Sequence, residues 1–158
     1  MKKESPDEKA VFKPEYTTMD ILKRLEEAGS LEEFDNSFAD DNMTGASALL
    51  RNYLQSLLNK YDRSDEEVSI EAGYTHEYLY KVLRGLRNPG RDFLLAVCAV
   101  IGTTLDEVQT LLKYAQLQPL YPRRKRDAII WYGFANGQSL YILDKNLKAR
   151  GHAPLYKD

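Results

Sequence analysis

The stretch AGYTHEYLYKVLRGLRNP, residues 72–89, decides the fold. Two runs of helical spacing meet at Gly73, a residue that takes a left-handed C-cap without steric cost. Thr75 stands where an N-cap hydroxyl accepts the first free amides of a new helix. The spacing predicts a helix over 76–84 with Leu79, Val82 and Leu83 buried. Gly85 stops it, and Pro89 prevents it from resuming. The same pattern leaves His76, Glu77, Tyr80, Lys81 and Arg84 on one outward side.

The flanks read in the same way. In RSDEEVSIEAG, Ser64 is an N-cap with Glu67 at the capping-box position, and Val68 and Ala72 face inward. Ser69 reads as a small residue of no consequence. Upstream, Leu49, Leu50, Tyr53, Leu54, Leu57, Leu58 and Tyr61 fall at helical spacing and define an amphipathic helix over 46–61. Downstream, RDFLLAVCAVIG at 91–102 is apolar nearly all round, as a central core helix must be. Thr104 and Glu107 form a second capping box, opening LDEVQTLLKYAQL. No run alternates with the period of a strand, so the expected class is all-α.

From about Ser64 to Val108 this layout resembles the lambda-repressor-like, or XRE-type, helix-turn-helix domain. The residues carrying the resemblance are Gly73, Tyr74 and Thr75 at the turn, RGLRNP at 84–89 and IGTTLDEV at 101–108, with the helix over 46–61 in front. The resemblance implies a lambda-repressor-like helix-turn-helix bundle in which helix 76–84 enters the major groove and helix 65–72 braces it across the phosphates. On that reading His76, Glu77, Tyr80 and Lys81 face bases. Thr75, Arg84, Arg87 and Arg91 lie along the phosphates, joined from the C-terminal segment by Arg123 and Arg124. Double-stranded DNA is the implied partner, the chain a homodimer, and no cofactor or metal is called for. The sequence departs from the family at Asp65, where Gln is frequent. Glu66 and Glu77 add like charge near phosphate, unless Glu77 accepts from a cytosine amine. Neutralised phosphates supply most non-specific affinity, so the module alone is expected to bind weakly.

Composition sets the outer limits. At 158 residues and 43% hydrophobic, the chain suffices for one packed domain with a tail. The formal net charge of −2 conceals a gradient. Residues 1–44 carry six Lys/Arg against twelve Asp/Glu, residues 45–115 eight against nine, and residues 116–158 eight against three. A single cysteine, Cys98, excludes an internal disulfide framework, and its mid-helix apolar setting marks an inert core thiol. No apolar run approaches the roughly 18 to 20 residues that span a bilayer, so no membrane partner is expected. MKKESPDEKAVFKPE has no apolar stretch of the kind a secretion signal needs, and a cytoplasmic location is expected. His76 and His152 have no Cys, Asp or Ser partner at motif spacing, and glycine-rich phosphate loops, HExxH and GxSxG are lacking. The sequence does not read as an enzyme.

Four segments follow. Residues 1–16, charged and holding Pro6 and Pro14, read as a disordered tail. Residues 17–44 read as an acidic extension with short helices: Thr17 or Thr18 caps one bearing Met19, Leu22 and Leu25, Gly29 ends it, and Ser30 with Glu33 opens another turn. Residues 45–115 form the helix-turn-helix domain. Residues 116–158 read as a basic helical hairpin packed on that domain. Its first helix follows Pro122 and carries Ala128, Ile129, Trp131, Tyr132 and Phe134. NGQS at 136–139 turns the chain, and Ser139 caps a second helix with Leu140, Ile142, Leu143 and Leu147, ended by Gly151 and Pro154. Its aromatic residues offer a face for a dimer mate or protein partner. Cations suit a helix N-terminus poorly, so Arg123, Arg124, Lys125 and Arg126 point to phosphate or to the acidic head. The leading functional expectation is a sequence-specific DNA-binding regulator. The alternative is a protein-interaction module, adaptor or antitoxin-like, to which Tyr74, Tyr78 and Tyr80 would contribute. An acidic head lying over basic surface would add autoinhibition to the first.

Overall fold

A computed structural model describes Glu26 and residues 47–157 of the chain. Among the described residues there are seven helices of known bounds and no strand. They are α1 (Ala48–Lys60), α2 (Asp65–Glu71), α3 (Tyr78–Leu83), α4 (Arg91–Ile101), α5 (Leu105–Tyr114), α6 (Lys125–Ala135) and α7 (Leu140–Ala149). The tail expected over 1–16 and, apart from Glu26, the acidic extension over 17–44 lie outside the described residues.

Local chemistry explains most helix starts. Ser47 Oγ accepts the Leu50 amide at 3.2 Å to open α1, and Ser139 Oγ accepts the Ile142 amide at 3.3 Å to open α7. At α5 the box closes both ways: the Glu107 amide donates to Thr104 Oγ1 (3.1 Å), and the Thr104 amide donates to Glu107 Oε1 (2.9 Å). At α2 only half of the expected box forms, with Ser64 Oγ accepting the Glu67 amide at 3.2 Å. Gly73 takes a φ of +90° after α2, in the left-handed region the turn requires.

The start of α3 corrects the sequence reading. The helix begins at Tyr78, with Glu77 in the N-cap position and no side-chain cap bond, rather than just past Thr75. Thr75 contributes its carbonyl instead, which accepts the Tyr78 amide at 3.1 Å. The cause is Ser69, which is fully buried. Its hydroxyl donates to that same Thr75 carbonyl at 2.5 Å and accepts the Leu79 amide at 3.3 Å. Segment 75–77 is thereby held as a separate turn ahead of the helix, and Ser69 is far from inconsequential.

α4 is the axis of the core. Every residue from Phe93 to Ala99 is buried, with Ile101. α2, α5 and α7 pack against it, while α1 packs on α3 and α5. Fully burying one such aliphatic or aromatic side chain contributes about 1.5–3 kcal/mol, so α4 supplies a large share of the core. α1 presents Ala48, Leu50, Leu54, Leu57 and Leu58 to this core, while Leu49 turns outward. At the far end of α1, Lys60 Nζ and Tyr61 Oη both donate to Glu107, at 2.5 and 2.7 Å, tying α1 to the start of α5.

The hairpin of α6 and α7 docks on α4 and α5. Asp127, Ile130 and Phe134 are buried on α6, whereas Ala128, Ile129 and Trp131 are half-buried and Tyr132 is exposed. On α7, Leu140, Leu143 and Leu147 are buried and Ile142 is outside. Gly133 lets the two helices close: a Cβ there would sit 2.9 Å from Leu143 Cγ and Cδ1. Two Arg–Asp dipeptides fasten the hairpin. Arg91 on α4 donates to both oxygens of Asp127 on α6, at 3.0 and 2.8 Å. Arg126 on α6 returns the pattern to Asp92 on α4, at 3.0 and 3.2 Å. Each carboxylate sits in the first turn of its own helix, where the macrodipole favours negative charge. Beyond α7, Asp144 accepts the amides of Leu155 (2.6 Å) and Tyr156 (3.0 Å), and the Lys157 amide donates to the Ala72 carbonyl at 3.0 Å.

Candidate nucleic-acid interface

The outward flank of α3 gathers most of the residues expected there. Leu79 and Val82 are fully buried and Leu83 is half-buried, which orients the helix. His76, Glu77 and Tyr80 then stand exposed and Lys81 half-exposed. Leu86, in the loop that follows, is also exposed.

The polar groups on this flank have partners on the flank itself. Lys81 Nζ lies 3.5 Å from Glu77 Oε1, a pair one helical turn apart, and His76 Nε2 lies 3.8 Å from Glu77 Oε2. Arg84 donates to Tyr80 Oη at 2.8 Å, and its guanidinium carbon is 5.6 Å from the Tyr80 ring centre. Arg87 lies over the Tyr78 ring at 4.6 Å. That ring belongs to a cluster of Tyr74, Tyr78 and Phe93, whose centroids are each 4.7 Å apart. Burial raises the Tyr74 phenol, with Tyr78 and the charge of Asp92 adding to the rise. Apart from the ring contacts to buried Phe93, these pairs are exposed or partly so. Each contributes up to about 1 kcal/mol to the fold, little enough to be exchanged for a stronger partner.

A groove of about 780 Å³ runs from the α2–α3 turn to the start of α4, between Gly73, Tyr74, Tyr78, Arg87, Phe93 and Lys157.

The remaining expected contacts lie elsewhere. Arg91 is not free to lie along a phosphate. Besides Asp127, its guanidinium donates to the carbonyls of Gln118 (2.8 Å) and Pro119 (3.1 Å). Burial pushes the Asp127 carboxyl up, but Arg91, the Tyr121 amide and nearby Arg124 outweigh it and hold the group below its ordinary value. Arg123, Arg124 and Lys125 are exposed where α6 begins, with Arg124 in the N-cap position. Arg126, the fourth cation of that run, is taken by Asp92 and the Ala153 carbonyl. Thr75 is exposed, but its carbonyl faces inward to Ser69.

Sequence reasoning missed Ser69, Asp92, Asp127 and Asp144. A signal existed for two of them: Arg-Asp occurs in GRDF and again in KRDA, at the start of two helices. Among the described residues no cluster of three or more His, Cys, Asp or Glu could hold a metal ion, and no helix is long and apolar enough to cross a membrane. Cys98 is buried, and that burial pushes its thiol up to about 12. No family model matches the chain, and neither a curated protein nor a solved structure is similar to it.

Proposed function

We propose that this chain is a sequence-specific DNA-binding regulator with a lambda-repressor-like helix-turn-helix, and that α3 reads the major groove. One observation carries the reading. Tyr80 and Lys81 stand on the outer side of a short helix, and His76 and Glu77 on the turn that leads into it, while the helix's opposite side is fixed in the core by Leu79 and Val82. A helix of this kind fits a major groove, and its N-terminal residues reach base edges. Arg84 and Arg87 follow directly, where cations position a protein on phosphates. Arg123 and Arg124, exposed where α6 begins, are further candidates for phosphate contact. Two copies acting as a homodimer would read a near-palindromic site, in the cytoplasm, without a cofactor.

The test is fluorescence anisotropy of the full chain with duplexes selected from random sequence and with the DNA upstream of its own coding region. Binding should saturate and fall steeply with salt, with a log–log slope of about −0.9 per phosphate neutralised. Lys81→Ala and Arg84→Ala should each weaken it. Anisotropy that stays flat at low salt refutes the reading.

A second reading has its own observation. The cations of α3 are locally paired, and Tyr80, Tyr132 and Tyr141 stand exposed, the last two at 61% and 71%. Exposed tyrosines suit protein interfaces. A protein-interaction module using α3 or the hairpin would recover a protein, and no nucleic acid, in a pull-down from its own cells.

A further inference from the structure

α3 has no cap of its own. Glu77 occupies the N-cap position without a side-chain cap bond. The amide of Leu79, second residue of the helix, finds its acceptor on a different helix, at Ser69 Oγ of α2. The proton of that hydroxyl goes to the Thr75 carbonyl. A serine hydroxyl has one proton and two lone pairs, so with the proton turned to Thr75 a lone pair is left for Leu79. One fully buried atom thus pins the carbonyl entering the turn and an amide leaving it. His76 and Glu77 lie between those two points.

We propose that Ser69 is the positioning residue for DNA reading by this chain: it sets the pose in which His76 and Glu77 meet the base edges. This rests on the DNA reading proposed above. Ser69 itself touches no DNA. Without its hydroxyl, the Thr75 carbonyl and Leu79 amide lose their shared partner, and segment 75–77 loses its single arrangement. Base discrimination by His76 and Glu77 then falls. Phosphate contacts from Arg84 and Arg87 are untouched, so the salt dependence stays the same.

The experiment compares the full wild-type chain with Ser69→Ala and Ser64→Ala. Ser64→Ala removes a cap on the same helix, remote from the turn, and so controls for lost stability. Selection from random duplexes and salt-dependent anisotropy are run where circular dichroism finds each protein folded, and amide hydrogen exchange is followed at Leu79. Ser69→Ala should speed Leu79 exchange and lower the specific-to-non-specific ratio by roughly tenfold, the scale of one lost base contact. The salt slope should not move, and Ser64→Ala should leave both readouts near wild type. If Ser69→Ala does not fold, Ser69→Cys, of similar size with a weak donor, takes its place with the same expected direction. A Ser69 variant that selects the same sequences at the wild-type ratio, or a Ser64 variant that loses as much, overturns the positioning role while DNA reading stands. A wild-type chain that selects no sequence removes both, and Leu79 exchange then reports a purely structural cap.

Discussion

The two Arg–Asp pairs that hold the hairpin have the same chemistry and different burial, so removing each acid should cost different amounts. Asp127 is 3% exposed and accepts three bonds, two from Arg91 and one from the Tyr121 amide. Asp92 keeps 47% of its side chain in solvent. Breaking a buried pair from one side costs about 3–5 kcal/mol, because the surviving charge is left uncompensated. Arg91 retains the Gln118 and Pro119 carbonyls and is 23% exposed, which brings the expectation for Asp127→Asn to about 2–3 kcal/mol. An exposed pair is worth about 0.2–1 kcal/mol, the range for Asp92→Asn. With about 4 °C per kcal/mol for a domain of this size, the midpoints should drop by roughly 8–12 °C and 1–4 °C. Urea and thermal unfolding followed by circular dichroism would measure both. The pH dependence gives a second check. The Asp127 carboxyl lies below its ordinary 3.8 in the fold, so its contribution is full above that pH and lost as pH falls through the lowered value. The gap between wild type and Asp127→Asn should therefore close in strong acid. Equal losses for the two variants, or an Asp127→Asn chain within about 0.5 kcal/mol of wild type, would refute the argument.

Other outcomes follow from sites already described. Burial raises the Glu107 carboxyl, but Lys60, the Thr104 amide and Tyr61 lower it further, to about 2 from 4.5. Its contribution is thus present above pH 4.5 and lost as pH falls toward 2, so urea midpoints should decline over that window and Glu107→Gln should flatten the decline. Gly133→Ala gains roughly 1 kcal/mol of helix propensity but forces its new methyl against the buried Leu143; overpacking of about 1–3 kcal/mol should leave a net loss, read from thermal melts. Glu77→Gln frees Lys81 and removes like charge from the flank of α3, so non-specific duplex affinity at low salt should rise severalfold while cytosine preference in a random-duplex selection weakens.

Local signals carried most of the helical layout. The hydroxyl caps at Ser64, Thr104 and Ser139, and the left-handed glycine after α2, act within a few residues of their position, so the sequence displays them directly. The core face of α4 needed no phase, because nearly all of its residues are apolar. Where the decisive partner is remote in the chain, the reading failed. The start of α3 depends on a hydroxyl ten residues before the amide it caps, on another helix. The inward stripe of α6 was not legible, because Asp127, a charged residue, belongs to it once Arg91 is present, while Tyr132 has the size of a core residue and stays outside. Arg91 was read as facing phosphate and Arg126 as facing phosphate or the acidic head, whereas their carboxylate partners are Asp127 and Asp92.

Fastening the hairpin at two points also has a mechanical side. The two pairs are reciprocal, and the buried Ile130 and Phe134 of α6 pack alongside them, with Gly133 allowing α7 to press close behind. The hairpin therefore meets α4 through two separate ion pairs as well as through its buried apolar side chains, so loss of either pair alone leaves the docking face in place.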